Sequence, residues 1–383
     1  MSNESVARQM TNDTRQEVVR AGQLSLQEIA NEVNGLVSGM ERDVWEIGRL
    51  CGLARSRCEE SGCGIEGDNP NVRFGKWVAL NFKETLWQTI RQYRRMHEVF
   101  GARRDEVDYL PQSALYMLAE PKVDEYREEI LQDLARLDKA GVAETKKAIS
   151  ERIIGKRKDA IASQIVEDIG EFQPVAELGD AIKWLERQPQ CDLLLTDPPY
   201  STDVDDIEAF AESWLPLALS KLKSTGRAFV FVGAYPQELA AYMNIAMPTQ
   251  VLVWTYKNTL GPSPKLDYKL NWQAILYYRM PDADPLDCPV MLEQFSVQEI
   301  NAPDGRLGDR YHAWQKPMEI GERFVRHATQ PGDLVLDPFC CTGTFLLGAA
   351  KYGRNARGCD LSPEHLEIAK QRGCKVLGVR DEG

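Results

Sequence analysis

The chain is 383 residues long, 43% hydrophobic and 27% charged, with a formal net charge of −12. That composition excludes disordered, fibrous and membrane-embedded classes, and the length suits two domains, the larger able to hold a full α/β sheet. No apolar run reaches membrane-spanning length, the start MSNESVARQM has no signal-peptide core, and among nine scattered cysteines Cys51, Cys58 and Cys63 fit no CxxC or zinc spacing; a cytoplasmic chain with reduced thiols is expected.

Residues 1–22 are polar and unpatterned and predict a loose tail. Over 24–60 apolar residues recur at helical spacing, with Ser25 placed to cap a helix and Glu28 three residues on, as in a capping box. A Gly/Asn/Pro break at 61–71 ends that hairpin, and helical patterns resume at 74–100, 112–118, 123–137 and 142–158. The segment 23–165 therefore reads as an all-helical domain. Its stretch 72–104 holds eight basic residues, Arg91, Arg94 and Arg95 among them, against two acidic ones, and carries Trp77, Phe82, Trp87 and Tyr93. Such a face suits phosphate, although the solvated side of an amphipathic helix has the same pattern.

Beyond a boundary expected at 165–175 the character changes. Short apolar runs at Cys191–Thr196, 227–232, 251–256, 274–278, 334–336 and 356–359 alternate with helical stretches at 206–223, 236–243 and 317–329, which predicts a mostly parallel sheet covered on both faces. The first run leads straight into Asp197-Pro198-Pro199-Tyr200. Two prolines stiffen the loop and remove two donors, Asp197 offers a carboxylate at a strand's C-terminal end, and Tyr200 offers a flat face. An exocyclic amino group on a nucleobase needs this set, because its lone pair is delocalised and acceptors must draw on its N–H bonds. The second signal is Asp333 to Ala350, a strand, a turn of small residues and a helix. Asp360 follows Asp337 by 23 residues, near the offset of an acidic residue that binds ribose hydroxyls, while the absence of a full GxGxxG disfavours NAD.

Gly179-Asp180, Asp197-Pro198-Pro199-Tyr200, Trp254-Thr-Tyr-Lys-Asn258, His312-Ala-Trp-Gln-Lys-Pro317 and Asp337-Pro338-Phe339 through Gly343-Thr344, in that order, resemble the β-class DNA amino-methyltransferases over about residues 175–375. The resemblance implies an α/β fold: a Rossmann-like, S-adenosylmethionine-dependent methyltransferase sheet, circularly permuted so that the catalytic half precedes the cofactor half, with the all-helical N-terminal domain in front. It implies that Asp197 and the Pro198 carbonyl bind the target amino group, with Pro199 stiffening the loop and Tyr200 stacking on a flipped base. Phe339, Cys341 and Gly343, within the loop from Asp337 to Thr344, would line the methionine part of S-adenosylmethionine. Asp360 would take the ribose, Asp180 would sit near the adenine, and Gln315, Lys316 and Pro317 beside the carboxylate end. Trp254, Lys257 and Asn258 would border the target-base pocket; sheet packing for Trp254 and a phosphate contact for Lys257 compete with that. The family loop usually has glycine where this chain has Cys341, and a positive φ there would be strained.

The implied reaction is direct in-line transfer from S-adenosylmethionine to an amino group of double-stranded DNA, with no covalent intermediate and no metal. The resemblance implies adenine N6 rather than cytosine N4, because cytosine-N4 members of the family more often begin the loop with Ser and this chain begins it with Asp197. A recognition insertion is expected at about 259–311 in a methyltransferase domain of 175–383, and the helical domain is expected to share DNA binding through Arg91, Arg94 and Arg95, or else to dimerise the chain. Competing readings are a methyltransferase of RNA or protein amides and a DNA-binding regulator without turnover. A cognate restriction enzyme is left open.

Overall fold

The computed structural model describes residues 24–38, 43–60, 63–141, 145–258 and 265–378. The expected tail at 1–22 and Gly261-Pro-Ser-Pro264 lie outside them. The chain divides into two compact units, residues 1–153 and 154–383.

In the first unit the described elements are helices α1 (Leu26–Ser38), α2 (Val44–Arg57), α3 (Pro70–Asn81), α4 (Trp87–Phe100), α5 (Arg104–Val107), α6 (Gln112–Leu118), α7 (Arg127–Lys139) and the start of α8 (Lys146–Ile169), joined by short 3₁₀ turns. The capping box forms: the Ser25 amide donates to Glu28 Oε2 at 2.8 Å, and the Glu28 amide donates to Ser25 Oγ at 3.3 Å. Asp43 and Asn69 cap α2 and α3 with side chains that each accept from two backbone amides of the first turn. The single helical stretch expected at 74–100 is two helices. Phe82 is extended at φ −130°, which buries its ring edge-on to Trp77 at 5.3 Å, and Trp87 Nε1 donates back to the Phe82 carbonyl at 2.9 Å. Burial of one aromatic outweighs helical propensity here. Ile29, Val33, Ile47 and Trp77 centre one apolar cluster, and Met96, Phe100, Leu115 and Ile130 a second. Gly48 lets α2 meet α4, since a Cβ there would lie 2.4 Å from the Tyr93 carbonyl oxygen.

The division between units falls inside α8, ahead of the boundary expected at 165–175. Ile149 and Ile153 belong to the core of the first unit, whereas Ile165 and Ile169 pack into that of the second. A helix has no punctuation in sequence at such a point.

The second unit is a nine-stranded sheet: β1 (Val175–Leu178), β2 (Cys191–Thr196), β3 (Leu222–Val232), β4 (Gln250–Thr255), β5 (Trp272–Arg279), β6 (Val297–Glu299), β7 (Leu334–Asp337), β8 (Asn355–Asp360) and β9 (Lys375–Leu377), in the order β6-β4-β5-β3-β2-β7-β8-β1-β9. Strands from β3 through β9 on that side are parallel, while β5 runs antiparallel to both β3 and β4. Side chains alternate between faces as a period of two requires. Leu193, Leu195, Phe229 and Phe231 face one cluster with α12 (Met318–Ala328), α13 (Thr344–Lys351) and α14 (Pro363–Gln371). Leu194, Ala228 and Val230 face the other, with α9 (Ala181–Arg187), α10 (Ile207–Ser220) and α11 (Pro236–Ile245).

Two features position the site. β2 continues to β3 on one side, while its neighbour β7 continues to β8 on the other, so the crevice beyond their C-terminal ends is a topological switch point, where open α/β sheets bind ligands. Because β2 precedes β7 in the chain, the order is permuted as expected. The range expected as a recognition insertion, 259–311, contains β5 and β6; β5 lies inside the sheet and is buried from Ala274 to Tyr278, so only the flanking loops are free of the sheet. No helix among the described residues is long and apolar enough to cross a membrane.

Candidate active site

β2 delivers Asp197-Pro198-Pro199-Tyr200 to the switch point. The Asp197 carboxylate is held on both oxygens: the Tyr200 hydroxyl donates to Oδ1 at 2.5 Å, and the Lys316 ammonium pairs with Oδ2. Lys316 is 5% exposed, and its Nζ lies 5.3, 5.7 and 6.0 Å from the ring centres of Tyr200, Phe231 and Trp254, a cage that suits a desolvated cation. Burial pushes the Tyr200 phenol well above its ordinary value, so it stays a donor. The loop is pinned behind by Glu238 of α11, which is fully buried and accepts from the Ser201 amide at 2.8 Å and from the Gly233 amide at the end of β3. Nothing in the sequence marks that glutamate.

β7 delivers the second loop. Asp337 is buried, accepts from Thr196 Oγ1 at 2.7 Å and from the Phe339 amide at 3.2 Å, and so ties the two loops together. Burial, reinforced by the nearby carboxylates of Asp197 and Asp360, pushes its acid up to about 8. A carboxyl whose folded value exceeds its unfolded value of about 4 contributes stability that is present below that value and is lost as pH rises toward 8. Urea unfolding of Asp337→Asn beside wild type is the check: wild-type stability is expected to fall relative to the variant between about pH 4 and pH 8. Parallel profiles would contradict the assignment.

Cys341 sits at φ +46°, the one positive φ outside glycine among the described residues. Its amide donates to Asp360 Oδ2 at 2.9 Å, and burial pushes its thiol up to about 12, which removes it as a nucleophile near neutrality. Gly343, at φ +75°, admits no side chain, because a Cβ would lie 2.6 Å from Cys374 Sγ; it starts α13 and does not line the cavity described next. The left-handed conformation costs a β-carbon residue about 1–2 kcal/mol, and glycine's extra chain entropy returns about 0.5–1 of that. Cys341→Gly is thus expected to stabilise the second unit by about 0.5–1 kcal/mol, read as a higher thermal midpoint. A lower midpoint would show that the thiol's packing outweighs the strain.

Between the two loops lies a cavity of about 430 Å³. Asp197, Pro198, Pro199 and Tyr200 line it on the β2 side, Phe339, Cys341 and Asp360 on the β7–β8 side, and Gly179 and Asp180 close an end. Asp180 arrives there because β1 pairs with β8, which brings the Gly179 amide to the Asp360 carbonyl at 3.0 Å; its own side chain caps α9. Phe210 and Trp214 of α10 add an aromatic wall, Trp214 meeting Phe339 edge-on at 4.9 Å. A second cavity of about 30 Å³ shares Asp197, Phe339 and Cys341 with the first and is lined further by Gln315, Lys316, Asp337 and Thr344. Pro317 begins α12 beside it. Gln315 is spent on its own loop, donating to the Asp309 carbonyl at 2.7 Å and accepting from the Tyr311 amide at 2.8 Å.

Other expected site residues stand apart from this cavity. Trp254 is 3% exposed and donates to the Ile300 carbonyl at 2.8 Å, so it is a core residue of the sheet that meets the site only through Lys316. Lys257 is exposed and pairs with Glu299 at 3.6 Å. Asn258 fastens the chain to Ala302 through two hydrogen bonds, at 2.7 and 2.9 Å, and borders a separate groove with Arg306 and Arg310. In the first unit Arg91, Arg94 and Arg95 line a concavity of about 530 Å³, where Arg94 pairs with Glu98 at 2.5 Å and lies over the Phe74 ring at 5.0 Å. Conversely, His312 and His365 line the main cavity, although His312 entered the sequence reading only as the head of the His312–Pro317 motif with no role of its own and His365, five residues past Asp360, belongs to no motif.

The DNA methylase family model matches residues 191–371 of this chain. The type II methyltransferase M1.MboII of Moraxella bovis is 43% identical over an alignment of 234 residues, gaps included, that covers 46% of this chain and 86% of the relative. The type II methyltransferase M.HpaI of Haemophilus parainfluenzae is 28% identical over 232 residues, 50% of this chain and 70% of the relative. M2.DpnII of Streptococcus pneumoniae is 26% identical over 235 residues, covering 50% and 87%.

Proposed function

The chain belongs to the DNA methylase family, the S-adenosylmethionine-dependent methyltransferases of DNA amino groups, and on that footing we propose that it methylates adenine N6 in duplex DNA. The observation that carries the proposal is the Asp197 carboxylate at the end of β2, opposite the Phe339–Cys341 turn across one cavity.

S-adenosylmethionine supplies the activated methyl group. The cavity suits it: about 430 Å³ falls in the range of small-molecule sites, with aromatic walls and polar groups that include Asp180, Asp197 and Asp360. Asp360 accepts from the Ser362 amide, the His365 ring and the Cys341 amide, which leaves one of about four lone-pair positions for a ribose hydroxyl. Phe339 would hold the methionine part and Asp180 the adenine. Asp197 accepts one N–H of the target amine and the Pro198 carbonyl the other. These acceptors raise electron density on nitrogen at the moment of attack, and the rigid Pro-Pro link keeps them in place without reorganisation. Tyr200, whose ring already lies against the Lys316 ammonium, offers its face to a base flipped out of the duplex.

Asp at the head of the loop, rather than Ser, is what favours adenine. Modification-sensitive single-molecule sequencing of DNA from cells expressing the chain tests the choice: modified adenine within one recurring sequence is expected, and modified cytosine would overturn it.

Recognition is assigned to the loops flanking β5, where Leu266 and Tyr268 stand 96% and 97% exposed, together with the Asn258–Arg306–Arg310 groove. The exposed Arg91 and Arg95 contact phosphate. Arg91→Gln with Arg95→Gln is expected to lower the salt dependence of DNA binding by about two counterions, with sequence preference unchanged. An unaltered slope of log affinity against log salt would remove the first unit from the DNA interface. The chain acts in the cytoplasm, on DNA.

A further inference from the structure

His312, Cys341 and His365 reach one point from three segments: the loop before α12, the turn after β7 and the first turn of α14. One ligand atom from each lies within 4.8 Å of the others, and none of the three is fully buried. Cys341 Sγ is 3.8 Å from His312 Nδ1. Bonds of about 2.3 Å to sulfur and about 2.0–2.1 Å to nitrogen, at a tetrahedral angle, set two ligands of one zinc ion about 3.5 Å apart, so the pair needs a shift of only tenths of an ångström. The two imidazoles meet edge to face at 4.7 Å.

The outer contacts suit a metal as well. His365 Nδ1 is 3.1 Å from Asp360 Oδ1, which leaves Nε2 free and fixes the ring, the carboxylate–histidine arrangement that orients a metal-binding imidazole. Asp360 is itself held by the Ser362 and Cys341 amides, so the ring's support is rigid. Two imidazoles and a thiolate select zinc over magnesium or calcium, which take oxygen ligands. Cys341 is the residue with the positive φ, in the place where glycine would be unstrained.

We propose that His312, Cys341 and His365 form a zinc site on the wall of the cofactor cavity, with a fourth position open to it, and that zinc and S-adenosylmethionine exclude one another. On binding, Cys341 gives its thiol proton to solvent and ligates as thiolate. The metal site stands on its own geometry; the exclusion rests on the cofactor assignment above.

Cobalt(II) added to the full-length chain is the probe, since thiolate ligation gives a charge-transfer band in the near ultraviolet. One equivalent is expected to produce the band, Cys341→Ala to abolish it, and His365→Ala to weaken cobalt binding by about 100-fold or more. The other eight cysteines serve as the internal control. Absence of the band in wild type, or its persistence in Cys341→Ala with an unchanged far-ultraviolet spectrum, would overturn the site. Should Cys341→Ala fail to fold, His312→Ala is read in the same way. Calorimetric binding of S-adenosylmethionine with one equivalent of zinc is then expected to weaken at least tenfold in wild type and to be unmoved by zinc in His365→Ala. A band with unchanged cofactor affinity would overturn the exclusion and leave the site, whereas failure to bind S-adenosylmethionine without zinc would count against the cofactor assignment instead.

Discussion

Asp197→Ala lowers turnover on DNA by about 10³-fold or more and changes S-adenosylmethionine affinity by no more than about threefold. The carboxylate sits at the end of β2, and its hydrogen bonds go to Tyr200 and Lys316 rather than to the Asp360 side of the cavity. On the proposed mechanism its removal strips the acceptor that polarises the target nitrogen, an interaction made chiefly in the transition state. Deletion of one preorganised polar group at a reacting centre costs about 10²–10³, and Asp197 also positions Tyr200, which adds to the loss. Single-turnover transfer of labelled methyl to DNA measures the effect, with calorimetry for the cofactor. Turnover within tenfold of wild type would remove Asp197 from the chemistry.

The second large effect is on stability. Lys316→Met leaves the Asp197 carboxylate, only 21% exposed, against a cage of Tyr200, Phe231 and Trp254 with no cation. Breaking a fully buried pair costs about 3–5 kcal/mol; with Asp197 still partly wet, a loss of about 2–3 kcal/mol from the second unit is expected. Asp197→Asn in the same chain should restore most of it, because the uncompensated charge, rather than the missing contact, carries the cost. Urea unfolding of the two single variants and the double variant supplies the cycle. Additive losses would mean that the pair contributes nothing beyond packing.

The strand-to-loop signals were legible because they are local. Asp197-Pro198-Pro199-Tyr200 follows its strand without a gap, and Asp337 through Thr344 compress strand, turn and helix start into one stretch. Strands β2 and β7 could be placed from those stretches, while the permuted order was implied by the family resemblance. What escaped depends on contacts distant in sequence. Lys316 reaches Asp197 across 119 residues, and Glu238 grips Ser201 across 37. Lys316 was expected beside the cofactor's carboxylate end; the structure pairs it with Asp197, because the start of α12 packs over β2. Strands β1, β6 and β9 have four, three and three residues, too few for a period of two to register. The break at Phe82 and the division within α8 follow from which core each side chain enters, which no local pattern records. Cys341 lies between these cases: its departure from glycine was visible, while the sign of its φ required the fold.

The central claim, methyl transfer to adenine N6 in DNA, is tested most directly by the product. Duplex DNA incubated with the purified chain and S-adenosylmethionine, digested to nucleosides and analysed by mass spectrometry, should contain N6-methyldeoxyadenosine, and at most a trace in the same time when the chain carries Asp197→Ala. N4-methyldeoxycytidine in its place would contradict the choice of base, and unmodified DNA alongside methylated RNA or protein would contradict the substrate.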